Sequence, residues 1–149
     1  MKQLHIGITG SRDGITQAQI EAFVTELSKY DEIKLHHGDC VGVDEGIHKI
    51  LLEVKKENPK VIEIFIHPPT DNKQRAFCQK KYETKDVLVH SFASEEYLKR
   101  NQKIVSSAKE LWAFPSGPEK QRSGTWATIR FAKKTGTPVK LFWPDGRVE

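Results

Sequence analysis

The chain has 149 residues, enough for one domain around a single core, with 37% hydrophobic and 30% charged residues. That balance excludes a collagenous or disordered chain, and no apolar run reaches the length of a transmembrane helix. A net charge of +4 and a pI of about 9.0 favour anionic ligands, but the basic residues form no tract interleaved with aromatics, so nucleic acid is not the expected partner.

Two cysteines, Cys40 and Cys78, are too few for a disulfide scaffold and fit no zinc spacing. Met1 to His5 run straight into an apolar segment without the hydrophobic region of a signal peptide. The expectation is a reducing cytoplasm, the host's if the chain is virus-encoded, with no membrane partner, no cofactor and no metal.

Leu4 to Thr9 read as strand one, closed by Gly10. Thr16 and Gln19 form a capping box, and Ile20, Phe23, Val24 and Leu27 fall on one face of helix one, Thr16 to Ser28. Ile33 to His37 is strand two. Asp44 is placed to cap helix two, whose apolar face is Ile47, Ile50, Leu51 and Val54. Val61 to Ile66 is strand three, ended by His67-Pro68-Pro69. From there to about Ala93 the pattern is poor and polar, with room for a short helix or hairpin, and Arg75, Lys80 and Lys81 either form a lid or are solvated. Helix three starts near Ser94 and presents Tyr97, Asn101, Ile104, Val105 and Ala108. Leu111 to Phe114 is strand four. Thr125 to Lys134 is helix four, with Trp126, Ile129 and Ala132 on one side, and Gly136 suits the position after its end. Pro138 to Trp143 is strand five.

Strand–helix alternation without repeats or linkers predicts a single α/β domain over residues 1–149. It is a Rossmann-like parallel sheet of about five strands, ordered 3-2-1-4-5, with helices on both faces. Ligands bind such sheets beyond the carboxyl ends of the strands, at the switch point. Three loops of small residues follow strand ends: Thr9-Gly10-Ser11-Arg12, Gly38-Asp39-Cys40-Val41-Gly42-Val43-Asp44, and Pro115-Ser116 through Ser123-Gly124-Thr125. The last leads into a helix N-terminus, where free N–H groups and the helix dipole favour a phosphate. The first lacks the glycine pattern of a dinucleotide site and the Gly-Lys-Ser/Thr end of a P-loop.

Ile6 to Arg12, His37 to Asp44, Tyr97 to Val105, and Ala113-Phe114-Pro115 with Ser123-Gly124-Thr125 together resemble the SLOG superfamily. This Rossmann-like group includes the DNA-processing protein DprA and the LOG cytokinin-activating phosphoribohydrolases. The chain is most similar to its small stand-alone, YspA-like branch, and the resemblance spans nearly the whole sequence. It implies a nucleotide or nucleotide-derived ligand and, in LOG members, hydrolysis of the N-glycosidic bond of a nucleoside monophosphate. Gly124 and Thr125 match the Gly-Thr of the LOG motif Pro-Gly-Gly-x-Gly-Thr-x-x-Glu, and Arg100 matches the arginine of the preceding helix. The motif's glutamate falls on Thr128, which offers no acid or base at neutral pH.

Asp44 and Glu119 are the candidates for the missing group, and Asp44 is otherwise a helix cap, a ribose contact or a group that positions water. Asn101, polar on an apolar helix face, contacts either the ligand or the strand-four backbone. His67 at the end of strand three is a further lining candidate. Trp112, Trp126 and Trp143 read as core or subunit-interface residues. The resemblance implies two functions. One is a sensor or sequestering protein for a nucleotide-derived signal, of ADP-ribose or cyclic type, in the conflict between bacteria and their viruses. The other is a LOG-like phosphoribohydrolase. Single-stranded DNA binding in the manner of DprA is a third and weaker alternative. A homo-oligomer is expected from the resemblance.

Overall fold

The computed structural model describes residues 2–149. Six parallel strands form one sheet: β1 (Gln3–Gly10), β2 (Glu32–His37), β3 (Val61–Ile66), β4 (Leu88–Ser91), β5 (Glu110–Phe114) and β6 (Val139–Leu141). Their order is β4-β3-β2-β1-β5-β6. Five helices accompany them: α1 (Gln17–Leu27), α2 (Val43–Glu57), α3 (Cys78–Lys81), α4 (Tyr97–Ser107) and α5 (Gly124–Lys134). The fold is α/β with a doubly wound sheet. The chain runs outward from β1 to β4 and then crosses back to β5, so the switch point lies between β1 and β5. Among the described residues no helix is long and apolar enough to cross a membrane.

The period of two along each strand separates two cores. Leu4 and Ile6 are in register with Ile33 and Leu35 of β2, which pair with Ile62 and Ile64 of β3, and Ile8 is in register with Trp112 of β5. All are buried against Phe23 and Leu27 of α1 and Ile47 and Leu51 of α2. Trp112 and Phe114 extend this layer, with the Phe23 ring edge-on to them at 5.9 and 5.7 Å. On the opposite face Val105, Leu111, Ala113, Trp126, Ile129 and Ala132 close a smaller core under α4 and α5.

The capping box of α1 forms as expected, with Thr16 Oγ1 accepting from the Gln19 N–H and the Gln19 side chain accepting from the Thr16 N–H. The helix is nevertheless rotated from its apolar stripe. Gln19 is buried because its amide donates to the carbonyls of Phe142 and Pro115, and Val24 is left 40% exposed.

Three expectations are corrected. The sheet has six strands, because the connection after β3 contains α3 and the edge strand β4. Leu88-Val89-His90-Ser91 is short and has no clean alternation, so its strand character comes from pairing with β3. Helix α4 is capped by Glu96, whose carboxylate accepts from the Lys99 N–H at 2.9 Å, and not by Ser94. Helix α2 is capped at Gly42, with φ of 95°, and Asp44 makes no cap bond.

Candidate functional site

The loops after β1 and β2 and at the end of β5 are stitched together by backbone. Ser11 N–H donates to the Phe114 carbonyl, and the Ser11 carbonyl accepts from the Val43 N–H. Gly42 is required at this junction: its φ is positive, and a Cβ there would lie 2.5 Å from the Ser11 oxygen. Above the junction opens a cleft of about 820 Å³ at the carboxyl edge of the sheet. A wider depression of about 950 Å³ lies beside the amino ends of β3 and β4, between Val61 and Leu88. That is the wrong edge of a parallel sheet for a ligand site, so the cleft is the candidate.

Of the residues singled out from sequence, Thr9, Gly10, Ser11, Arg12, Cys40, Asp44, Arg100, Asn101, Ser116, Ser123, Gly124 and Thr125 line the cleft. Gly38, Asp39, Gly42, His67 and Pro115 do not line it. The carbonyls of Gly38 and His67 instead hold Arg100, Gly42 packs against Ser11, and the Pro115 carbonyl accepts from Gln19. Asp39, held at φ 57°, accepts from the Cys78 N–H and from Arg75 Nε, each at 2.9 Å, and so ties the long connection to the β2 loop. This pairing turns Arg75 away from any lid, and Lys81 likewise pairs with Glu45 at 2.8 Å. Glu119, a candidate acid, lies outside the cleft and binds Arg130 at 2.9 Å. Sequence reasoning missed Tyr97, Leu98, Gln74, Lys120 and Arg122 on the rim. Only the basic character of Lys120 and Arg122 could have signalled them.

The central group is Arg100, which is 4% exposed. Nε donates to Asn101 Oδ1 at 2.8 Å. Nη1 donates to the carbonyls of Gly38 and His67, the latter at 3.2 Å. Nη2 reaches Cys40 Sγ at 3.6 Å. A guanidinium has five N–H groups, so the two on Nη2 share only a weak sulfur acceptor. No carboxylate among the described residues lies within ion-pair distance of Arg100. Gly38 makes room for this packing, since a Cβ there would lie 2.5 Å from Nη1. Asn101 Oδ1 thus orients Arg100 while the residue lines the cleft.

Opposite, Ser123 caps α5 by accepting from the Trp126 N–H at 3.2 Å. The N–H groups of Gly124 and Thr125, the first two of the helix, remain unpaired at the cleft. Thr128 turns back and donates to the Gly124 carbonyl at 2.8 Å. With Arg12, Lys120 and Arg122, the cleft holds four cationic side chains against the carboxylates of Asp13 and Asp44. The field favours an anion.

Asp44 is 8% exposed, and its carboxyl is pushed up to about 6 by burial, against the pull of the Arg100 charge and of two backbone N–H donors. The Cys40 thiol is also raised, by burial and by Asp44, which keeps it protonated and weakens it as a nucleophile. His37, His48 and Cys78 bring three buried donor atoms within 4.8 Å of one another. The Asp39 N–H donates to His37 Nδ1, so the proton of that ring sits on Nε2 and bonds His48 Nδ1 at 2.9 Å. Both nitrogens of His37 are thus engaged in a hydrogen-bonded chain from Asp39 to His48. No family model, curated protein or solved structure matches the chain.

Proposed function

We propose that the cleft binds a nucleotide-derived small molecule, and that the chain is a sensor or sequestering protein of SLOG type. The observation that carries this reading is Arg100, a buried cation without a carboxylate partner, facing the unpaired first-turn N–H groups of α5 across one cleft. A buried charge of this kind is costly unless an anion completes it. A phosphate at the α5 N-terminus, within reach of Arg12 and Arg122, satisfies both features. Thr128, spent on the helix backbone, supplies no acid or base in place of the LOG glutamate.

A second reading, a phosphoribohydrolase, is favoured by one observation: Asp44 lines the cleft with a carboxyl that titrates near 6, suited to proton transfer. The two readings separate in one experiment. The protein is titrated calorimetrically with AMP, ADP-ribose, cyclic ADP-ribose isomers and cyclic dinucleotides, and each mixture is chromatographed after overnight incubation. Binding with intact ligand, lost in Arg100→Ala, supports the sensor. Release of free base replaces it by the hydrolase. Neither binding of any compound nor release of base from any of them refutes both.

A further inference from the structure

Asp44 is the second residue of α2, and its fold-imposed contacts are lopsided. Oδ2 accepts from both the Gly38 N–H at 3.1 Å and the Cys40 N–H at 3.3 Å. Oδ1 accepts from no described residue, and it is not sealed within the protein, because Asp44 lines the cleft. One oxygen is therefore clamped and the other is presented. The clamp fixes the carboxylate plane, so Oδ1 is a positioned acceptor and not a mobile surface charge.

Arg100 stands beside it. Cys40 joins the two groups, with its N–H on Asp44 and its sulfur 3.6 Å from Arg100 Nη2. Yet Asp44 and Arg100 form no ion pair with each other. A buried acceptor and a buried donor thus face the same cavity, each incomplete. A phosphate alone completes Arg100 and repels Asp44. A ligand that completes both carries an anionic group and a hydrogen-bond donor on one small frame.

Resting on the reading that the cleft holds a nucleotide-derived ligand, we infer that Asp44 Oδ1 accepts a ribose hydroxyl of that ligand, so that the site selects ribonucleotides over their deoxy counterparts. At pH 7.5 the Asp44 carboxyl is ionised and is an acceptor only. A site that presents a buried acceptor to a hydroxyl discriminates strongly against the analogue lacking it, because the acceptor is then left unpaired in a desolvated place. An exocyclic amine of the base offers similar donor chemistry, and the test includes an arm for it.

The full chain is titrated at pH 7.5 with AMP, 2′-deoxy-AMP, 3′-deoxy-AMP and purine riboside 5′-monophosphate, and ADP-ribose is run beside them. The expected result is at least about tenfold weaker binding of one deoxy analogue than of AMP, with purine riboside monophosphate near AMP. Asp44→Asn, checked for folding by its melting curve, is expected to reduce the ribose preference to under about threefold while retaining affinity for the deoxy compound. Equal binding of AMP and both deoxy analogues overturns this inference and leaves the nucleotide reading standing. A loss confined to purine riboside monophosphate also overturns it, since Asp44 then reads the base. Absence of binding by AMP and ADP-ribose alike overturns this inference, and the nucleotide reading falls with it when the cyclic ADP-ribose isomers and cyclic dinucleotides also fail to bind. If Asp44→Asn fails to fold, the wild-type comparison of AMP with its deoxy analogues still decides.

Discussion

Replacing Asp44 by asparagine removes a buried charge and preserves its hydrogen bonds. The amide oxygen can accept from the Gly38 and Cys40 N–H groups, as Oδ2 does, while the amide nitrogen takes the open position of Oδ1. In the fold burial pushes the carboxyl from its ordinary 3.8 up to about 6. At about 1.4 kcal/mol per unit, ionised Asp44 costs the unliganded fold about 3 kcal/mol at pH 7 and above. The sign follows from a raised acid: the folded state holds the proton more tightly, so the cost is absent well below 3.8 and grows as pH rises from 3.8 to 6. Asp44→Asn is therefore expected to stabilise the protein by up to about 3 kcal/mol at pH 8, about half of that at pH 5, and close to nothing at pH 3. Urea denaturation of both proteins at those pH values measures it, and titrations common to both proteins cancel in the difference. Destabilisation at pH 8, or a difference that does not change with pH, refutes the claim that Asp44 is a strained, buried carboxylate held for a ligand. Stabilisation together with weaker ribonucleotide binding is the signature of a site that gives up stability for function.

Two further outcomes are expected. Gly38→Ala places a Cβ 2.7 Å from Arg100 Cζ and must displace the guanidinium, so it is expected to cost about 1–3 kcal/mol in denaturation and to weaken anion binding, whereas an unchanged affinity would show that Arg100 is not the anion contact. His36 stacks on Phe65 at 4.6 Å, bonds His67 Nε2 at 2.9 Å, and is held near 3 by burial and by the neighbouring histidine charges. Its folded value is depressed, so stability is lost as pH falls from 6.5 towards 3 because the unfolded chain takes up the proton first, and His36→Phe is expected to flatten the pH dependence of stability between 6.5 and 4 by about one proton's worth.

The cleft sits where a parallel sheet must place it. Strand β1 feeds a loop towards β5 on one side and α2 on the other, and the Ser11 backbone bonds both. The floor of the site is therefore built on strand ends and helix starts, with loops forming its rim. Its two buried charged groups come from rigid elements, Arg100 from α4 and Asp44 from α2, while Arg12, Asp13, Lys120 and Arg122 stand on the loops around them. Such placement keeps a donor and an acceptor apart against their mutual attraction, which a flexible loop could not do.

The strand–helix alternation, the parallel order of β3-β2-β1-β5-β6 and the three loops at one edge were legible in the sequence. The signals are local: period-two apolar runs, the Thr16–Gln19 box, and Gly136 after α5 with its positive φ. Edge strand β4 was not legible, because a four-residue strand with an exposed leucine draws its conformation from its neighbour β3. The roles of the site residues were only half visible. Asp44 looked like a cap, a local expectation, while its carboxylate accepts from Gly38 and Cys40, and no local pattern showed that Asn101 holds Arg100. Glu119 looked available because its partner Arg130 lies eleven residues on, along α5. What the sequence by itself determined is where a ligand can sit: backbone pattern sets strand direction, and strand direction sets the edge. What only the tertiary structure decided is which charges are left unpaired there. Arg100 meets Gly38 across 62 positions of chain, and whether a buried charge finds a partner depends on distances that no local pattern carries.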